Sequence, residues 1–415
     1  QPLPGAPGES DTGDGVVEGK PLKGRLKMEH RILGAIGIAL LILVSLPLAA
    51  NTEWEVARED YAWSFPEDHW ARDGYKTEWW YFTGHLEAET GERFGYQFTF
   101  FRVGLLGEKP EMASSWVAKD LVMGHGALTQ LPTPNGRAGD GERGGPPGHR
   151  FSEVLYRASP LLGGFGSYPD SVIVWCIGPA GTDGDWRLTW NGSGFDFEMT
   201  DVDEGFSFAL STRPVKPVVF QGPNGFSRKN EGTSSASQYY SFTRLATKGV
   251  VSVDGRATAV TGESWMDKEF GSNQLAAGQA GWDWFSLQLQ DDREVMLYVL
   301  RDETGAVDYA SGTIVDSSGE ARYLASDEFE LSGTATWTSP DGITRYPSRW
   351  RLSIPSASLV VDIQPELADQ ENRSKIIPTM RYWEGAVKVG DVTGKAIGQG
   401  FVELTGYGDS SRPAI

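Results

Sequence analysis

Two alternating stretches joined by a tight turn constrain the fold more than any other feature of this chain. In Glu78–Arg102 (EWWYFTGHLEAETGERFGYQFTFFR), Trp79 and Tyr81 fall on one face of an extended strand, and Trp80 and Phe82 fall on the other. Period-two alternation on both sides of a turn predicts an antiparallel hairpin. Aromatic residues on both faces indicate a barrel wall, with one face packed inward and the other covered by a neighbouring element.

A second hairpin of the same construction occurs in the second half of the chain. Trp282–Arg301 aligns with the first hairpin so that Trp284 matches Tyr81 and Phe285 matches Phe82. The 415-residue chain also contains 52 glycines and 12% aromatic residues, and long helical periodicity is scarce. We therefore predict an all-β fold with two tandem antiparallel β-barrels of similar construction.

Changes in composition predict the domain boundaries. Residues 1–27 are rich in Gly, Pro and charge, and they are interpreted as disordered or as an upstream extension. Residues 28–50 combine a basic flank with an apolar run, which predicts either a signal peptide or an N-terminal membrane anchor. Turn residues at 232–237 are interpreted as the connection between a first barrel at 51–231 and a second at 232–415.

Charge and cysteine content limit the partners. The net charge of −19 argues against nucleic acid and anionic membrane surfaces. Membrane contact is expected only through segment 28–50, if that segment is not cleaved, and the mature protein is expected in the periplasm or outside the cell. The single cysteine, Cys176, excludes an internal disulfide and a CxxC metal site, and it is expected to be buried in a strand.

The stretch Gly262–Arg301 concentrates the candidate chemistry, with seven acidic residues and three tryptophans. Asp267 and Glu269 are two residues apart, so on a strand they share a face and could share a proton. The alternative is that they are turn carboxylates that cap backbone amides. Asp283, between Trp282 and Trp284, is either an acid held among aromatics or a solvent-facing residue of an alternating strand.

Six motifs together resemble the family of carotenoid 1,2-hydratase and AttH-like proteins, and they occur in that family's order from about Trp54 to Tyr407. The motifs are EWWYFTGHL, YYSFTRL, GESWMDKEFGS, GWDWFSLQL, YWEGAV and GFVELTGY. The resemblance implies two lipocalin-like β-barrels side by side, with a ligand cavity within or between them. The family includes hydratases of acyclic carotenoids, a flavonoid hydratase and cyclases of fungal polyketides. Many of its members are described only as predicted secreted hydrolases.

The central motif departs from the pattern of the carotenoid hydratases. There the aspartate is typically followed by histidine, as in Asp-His-Asn-Trp, whereas this chain has Asp267-Lys268-Glu269-Phe270. A histidine titrates near neutral pH, but a lysine ordinarily stays charged. The imidazole of that pattern is therefore absent here, while Asp267 and Glu269 remain a candidate acid/base pair.

Other motifs bear on structure and on cofactors. Glu78 is predicted to form a structural salt bridge with Arg102 or Arg244, and His125 either reaches the cavity of the first barrel or is a core histidine. The five histidines show no HExxH or other metal-ligand spacing, and the chain has no GxSxG nucleophile motif and no GxGxxG loop. We therefore predict no cofactor and no metal.

Two functions of different class fit these features. The first is an exported enzyme that needs no cofactor and adds water to, or cyclises, an apolar isoprenoid-like or polycyclic small molecule. The second is a non-catalytic periplasmic binder or carrier of a hydrophobic ligand. The predicted catalytic residues are Asp267, Glu269 and Asp283, and the predicted substrate-binding residues are Trp79, Trp80, Tyr81, His125, Tyr240, Arg244, Trp265, Trp282, Trp284 and Trp383.

Overall fold

The computed structural model describes residues 54–108, 111–112, 114, 116–132, 147–232 and 235–408. The predicted N-terminal extension and the predicted signal peptide or anchor lie outside these residues. Among the residues that the structure describes, no helix combines the length and the apolar character needed to cross a membrane.

Extended strands dominate the described residues, whose helical elements are three short 3-10 turns at Glu67–His69, Pro223–Gly225 and Pro355–Ala357. The strands are β1 (Thr77–Glu87), β2 (Arg93–Gly104), β3 (Asp120–Leu131), β4 (Gly148–Arg157), β5 (Gly163–Phe165), β6 (Val172–Ile177), β7 (Asp185–Trp190), β8 (Phe195–Asp201), β9 (Phe206–Pro214), β10 (Val219–Phe220), β11 (Phe226–Arg228), β12 (Ala236–Val253), β13 (Arg256–Asn273), β14 (Gln279–Leu289), β15 (Glu294–Asp302), β16 (Val307–Val315), β17 (Ala321–Ala325), β18 (Glu330–Thr338), β19 (Arg345–Ile354), β20 (Leu359–Pro365), β21 (Glu371–Arg373), β22 (Arg381–Gly390) and β23 (Ala396–Leu404).

These strands form two large antiparallel sheets. The first has the order β4-β3-β2-β1-β13-β12-β9-β8-β7-β6-β5, with β10 and β11 also paired to β12. The second has the order β17-β16-β15-β14-β23-β22-β20-β19-β18, with β21 also paired to β22. The predicted fold class, all-β with two tandem lipocalin-like antiparallel barrels, is confirmed.

The two sheets share one strand order, which places the boundary between them differently from the prediction. In each sheet the strand that comes first along the chain pairs with the hairpin that comes last along the chain. The β12–β13 hairpin lies beside β1, and the β22–β23 hairpin lies beside β14. By strand pairing, the change of sheet therefore falls between Asn273 and Gln279, not after residue 231. The turn residues at 232–237 connect two strands of the same barrel.

The alternation in β1 separates two packing environments. Trp80 and Phe82 are fully buried in the core of the first barrel, which also contains Cys176, as predicted for that cysteine. Trp79 and Tyr81 point the other way, into a cluster that lies between the two sheets. One face of the hairpin is thus packed inward and the other is covered by the second sheet, as the aromatic pattern predicts.

Strand β14 repeats this division in the second sheet. Phe285 belongs to the core of the second barrel, while Trp284 lies in the cluster between the sheets. The ring of Trp284 meets that of Tyr81 edge to face, with 5.1 Å between their centroids. The residues that the sequence alignment of the hairpins matched therefore touch each other where the two sheets meet.

Candidate active site

A cavity lies between the two sheets, lined by outward-facing residues of both barrels. The space between its lining atoms, including open space at the mouth, is about 770 Å³. The half-buried lining residues are Trp79, Phe101, Leu275, Trp282 and Glu403, and the other lining residues are buried. The half-buried residues therefore mark the mouth.

Matching positions of the two sheets supply the two sides of the cavity. In the first sheet Tyr81 lies opposite Asp267, and in the second sheet Trp284 lies opposite Glu403. Because Trp284 matches Tyr81 in the repeated hairpin, Glu403 is the counterpart of Asp267. Each barrel thus contributes an acid at this matching position of its last strand.

The neighbouring strands β12 and β22 also occupy matching positions in the two sheets, but the residues beside the two acids differ. Ser241 on β12 lies beside Asp267, and Glu384 on β22 lies beside Glu403. The first acid is therefore next to a hydroxyl group, whereas its counterpart is next to a second carboxyl group. This difference in neighbouring groups gives Asp267 and Glu403 different electrostatic environments.

Asp267 is buried and accepts three hydrogen bonds. Its donors are the Tyr239 hydroxyl at 2.6 Å, the Trp265 indole N–H at 2.7 Å and the Ser241 hydroxyl. Burial raises the pKa of Asp267 to about 7, although the three donors favour the ionised form and lower it. The Trp284 indole donates to the Tyr239 oxygen at 3.1 Å, which orients that hydroxyl toward Asp267.

Glu384 and Glu403 form an acid pair whose side-chain partners in the described residues include no Lys or Arg. The Tyr81 hydroxyl donates to Glu384 at 2.5 Å, and the Trp282 indole donates to Glu403 at 3.2 Å. Burial, reinforced by Glu403, raises the pKa of Glu384 well above its ordinary value, and burial raises the pKa of Glu403 to about 7. Two neighbouring carboxyl groups without a cation do not both ionise readily, so the pair holds a proton at neutral pH.

Glu269 and Lys229 form an ion pair at the side of the cavity. The Lys229 ammonium lies 2.7 Å from Glu269 and 4.5 Å from the centre of the Tyr298 ring. Burial alone would lower the pKa of Lys229, but the Glu269 carboxylate raises it, so the ammonium stays charged. This pairing separates Glu269 from the role of proton-sharing partner that its spacing from Asp267 suggests.

Seven of the predicted site residues take part in this cavity. Six line it, and Trp265 lies behind Asp267 as a hydrogen-bond donor. The six lining residues are Asp267, Glu269, Trp79, Tyr81, Trp282 and Trp284.

Asp283 and Trp383 face away from the cavity. Asp283 alternates with Trp282 and Trp284 along β14, so it points into the second barrel, where it forms a salt bridge with Arg301 at 3.0 Å. Trp383 is fully buried in the core of the second barrel. The predicted catalytic role of Asp283 and the predicted ligand contact of Trp383 therefore have no geometric basis in this cavity.

Trp80 and Tyr240 point into the first barrel instead. The Tyr240 hydroxyl lies 2.6 Å from Nδ1 of His69, and the Lys268 ammonium lies 3.5 Å from the centre of a Trp80 ring. Lys268 alternates with its neighbours along β13 and pairs with Glu78, which also pairs with Arg102 as predicted. The position where the carotenoid hydratases carry histidine thus faces the first barrel, not the cavity between the sheets.

His125 and Arg244 lie between the sheets but outside the cavity lining. His125 is buried, and its Nδ1 is 2.8 Å from the hydroxyl of Tyr382, a lining residue. Burial lowers the pKa of His125 to about 3, so the ring is neutral. Arg244 bonds Glu294 of the second sheet at 2.7 Å and Glu263 of the first at 2.9 Å, which makes it a structural link between the barrels.

The cavity lining also contains Glu384, Glu403 and Lys229, which are not among the predicted site residues. A signal for Glu403 was present, because continuing the repeat past the first hairpin aligns GFVELTGY with the motif that contains Asp267. Lys229 follows turn residues and has no such signal. In the described residues no group of three or more His, Cys, Asp or Glu side chains is arranged to hold a metal ion.

Comparisons with known proteins agree with this architecture. The family model described as AttH-like matches residues 56–407. A crystal structure from Nitrosomonas europaea, provisionally assigned as AttH, is similar with a TM-score of 0.70 and 29% identity, covering 85% of this chain and 100% of that one. Kievitone hydratase from Nectria haematococca is similar with a TM-score of 0.57 and 14% identity, covering 85% and 94%, a level that shows the fold alone. No similar sequence was found among curated proteins.

Proposed function

The chain belongs to the AttH-like family, and we propose that its cavity between the sheets is the active site of a hydratase that needs no cofactor. The substrate in this proposal is an apolar isoprenoid-like or polycyclic small molecule with a carbon–carbon double bond. The observation that carries the proposal is the pairing of two unlike acids in one aromatic cavity. Asp267 has three donors that favour its carboxylate, whereas Glu403 shares a proton with the adjoining Glu384.

The reaction divides the two roles between the two sheets. Glu403 donates its proton to one alkene carbon, and a water oxygen bonds to the other carbon. Asp267 accepts a proton from that water, so the product is an alcohol, and the proton on Asp267 returns to Glu403 through water. A general acid or base works best when its pKa lies near the working pH, which is the case for both groups.

The aromatic lining supports a positively charged intermediate. Protonation of an alkene leaves a carbocation, which the face of an indole or phenol ring attracts. Trp79, Tyr81, Trp282 and Trp284 surround the position between the two acids.

Isotope labelling tests this proposal. The full chain is incubated in heavy-oxygen water with squalene, lycopene and geraniol, and the products are analysed by mass spectrometry. We expect a product heavier by one labelled water from at least one probe, with at least a 100-fold loss of product for D267N and for E403Q, the size of effect that acid–base groups have. D201N, at a buried aspartate bonded to Ser152 outside the cavity, is the matched control and should keep full turnover.

The carrier hypothesis gives a different result in the same experiment. A carrier would retain a probe unchanged, with no label, and D267N would retain it as well. Labelled product formed equally by the wild type and by D267N would contradict the assigned role of Asp267.

We also propose that the protein is exported, with the apolar segment 28–50 as its signal peptide or anchor. The support is the basic flank followed by an apolar run in the sequence. N-terminal sequencing of the protein from a periplasmic fraction should find a start near residue 51. A start upstream of residue 28 in a membrane fraction would favour the anchor.

A further inference from the structure

Two glutamines that line the cavity carry polar atoms without a hydrogen-bond partner in the protein. Gln97 is 2% exposed, and its amide nitrogen donates to the Thr99 hydroxyl at 2.5 Å while its amide oxygen has no partner. Gln274 is 3% exposed, and neither its amide oxygen nor its amide nitrogen has a partner. Buried amide groups without partners are destabilising, so both side chains need a polar group inside the cavity.

These glutamines lie at opposite ends of the reactive centre. Gln97 on β2 is opposite Thr83, one step further inward than Tyr81 and Asp267, and the Thr83 hydroxyl also has no partner. Gln274 directly follows β13, beside the mouth residue Leu275. The amide of Gln97 is therefore on the inner side of Tyr81 and Asp267, and the amide of Gln274 is on the side of the mouth.

The charges of the cavity limit what those amides can bind. Asp267, Glu269, Glu384 and Glu403 are acidic, and Lys229 is already paired with Glu269. An anionic ligand group would meet further negative charge in a cavity of low polarity, which is unfavourable. A hydroxyl or carbonyl group carries no charge, and an amide can donate to it or accept from it.

We propose that the ligand is a neutral isoprenoid-like molecule that carries a hydroxyl or carbonyl group, and that Gln97 and Gln274 are its specificity-determining residues. This inference rests on the proposed function for the site but concerns binding, not turnover. A pure hydrocarbon would leave the amides unsatisfied, and a carboxylic acid would be repelled. The double bond would lie between the two polar ends, next to the acids.

The test compares three ten-carbon probes of related skeleton: geraniol, the hydrocarbon myrcene and geranic acid. Binding to the full chain is measured at neutral pH by quenching of tryptophan fluorescence, since Trp79, Trp282 and Trp284 line the cavity. We expect geranic acid to bind most weakly. In the double variant Q97L/Q274L, the affinity ratio of geraniol to myrcene should fall about 5- to 10-fold relative to the wild type, which is the effect of losing one or two neutral hydrogen bonds.

Comparing ratios between variants removes the difference in water solubility between the alcohol and the hydrocarbon. Gln238 offers a matched control because it is buried, has an unpartnered amide nitrogen and lies outside the cavity lining. Q238L should keep the wild-type ratio. Each single variant should show part of the change, according to which amide the hydroxyl reaches.

An unchanged ratio in the double variant would overturn the inference, because water would then satisfy the two amides. Tighter binding of geranic acid than of geraniol, or no binding of any probe, would overturn it as well. These outcomes are independent of the hydratase proposal, since fluorescence needs no turnover. Loss of labelled product in D267N with an unchanged ratio in Q97L/Q274L would leave the hydratase proposal standing alone.

Discussion

Asp267 and Glu403 occupy matching positions of two similar sheets, yet their surroundings have diverged. The donors around Asp267 are three uncharged groups, and its neighbour on the next strand is Ser241. Glu403 receives one weaker bond from Trp282, and its neighbour is Glu384. A duplicated scaffold thus presents two carboxyl groups to one cavity, and a serine-to-glutamate difference places a hydroxyl group beside Asp267 and a second, proton-sharing carboxyl group beside Glu403.

The buried ion pairs of the two barrels show a second divergence. In the first barrel the buried carboxylate of Glu78 lies between two cations, Arg102 and Lys268. In the second barrel Asp283 compensates one cation, Arg301, whose guanidinium also lies 3.9 Å from the centre of the Tyr407 ring. Loss of the carboxylate should therefore disturb the first barrel more than the second.

The largest expected effect is a loss of stability that tests this difference between the two barrels. E78Q leaves the buried Lys268 without a counter-charge and leaves Arg102 with Asp120 as its one carboxylate partner, and we expect it to lower the free energy of unfolding by about 3–5 kcal/mol. D283N should cost less, because Arg301 keeps its bond to the Thr405 carbonyl and its aromatic contact. Urea unfolding at neutral pH measures both variants. A cost for D283N equal to or above that of E78Q would contradict the comparison.

The next effect concerns the pH dependence of stability. Burial raises the pKa of Asp267 from 3.8 to about 7 and that of Glu403 from 4.5 to about 7. A raised pKa means that the folded state holds a proton that the unfolded state has released, so each group makes stability fall as pH rises through this window. The slope from one group is about 1.4 kcal/mol per pH unit.

The difference between the wild type and D267N isolates that slope, because other titrating groups are common to both proteins. We expect wild-type stability, relative to D267N, to decrease from about pH 4 to pH 7 and then to level off. E403Q should show the same sign over a narrower window. A relative stability that rises with pH in this range would show that Asp267 is ionised at low pH and that burial is not the dominant influence.

The smallest of these effects separates the two tyrosines at matching positions on β12 and β22. Y239F removes one donor from Asp267 and the acceptor of the Trp284 indole, so the pKa of Asp267 should rise above 7. The free energy of unfolding should fall by about 1–3 kcal/mol, because buried polar groups lose a partner. Y382F removes the partner of His125 and should leave Asp267 unchanged. Carbon-13 NMR titration of labelled aspartate carboxyls measures the shift. Equal shifts in both variants would show that the hydroxyl contact is not what distinguishes the two sides.

Much of the fold and part of the site could be predicted from local pattern. Period-two alternation predicted the faces of β1 and β14, and the two residues that the repeat places at matching positions, Tyr81 and Trp284, lie in the same cluster between the sheets. The same alternation also argues against Asp283, since a residue between Trp282 and Trp284 cannot share their face. Asp283 accordingly points into the second barrel, where it pairs with Arg301.

Chain order misled the assignment of the last hairpin of the first barrel. β12 begins at Ala236, within the segment 232–237 that was predicted to connect the barrels, but β12 and β13 pair with β9 and β1, which come much earlier. Turn chemistry marks where a strand ends and carries no information about which sheet the next strand joins.

The sequence by itself determined that this protein is built of strands with two buried faces, that its construction is repeated, and that Asp267 lies among aromatic residues. Only the tertiary structure decided which acids meet. Glu403 enters the cavity because β23 pairs with β14 in the register that sets it opposite Trp284. Such pairing depends on contacts between distant parts of the chain, and a shift of one residue would turn the same side chain to the opposite face.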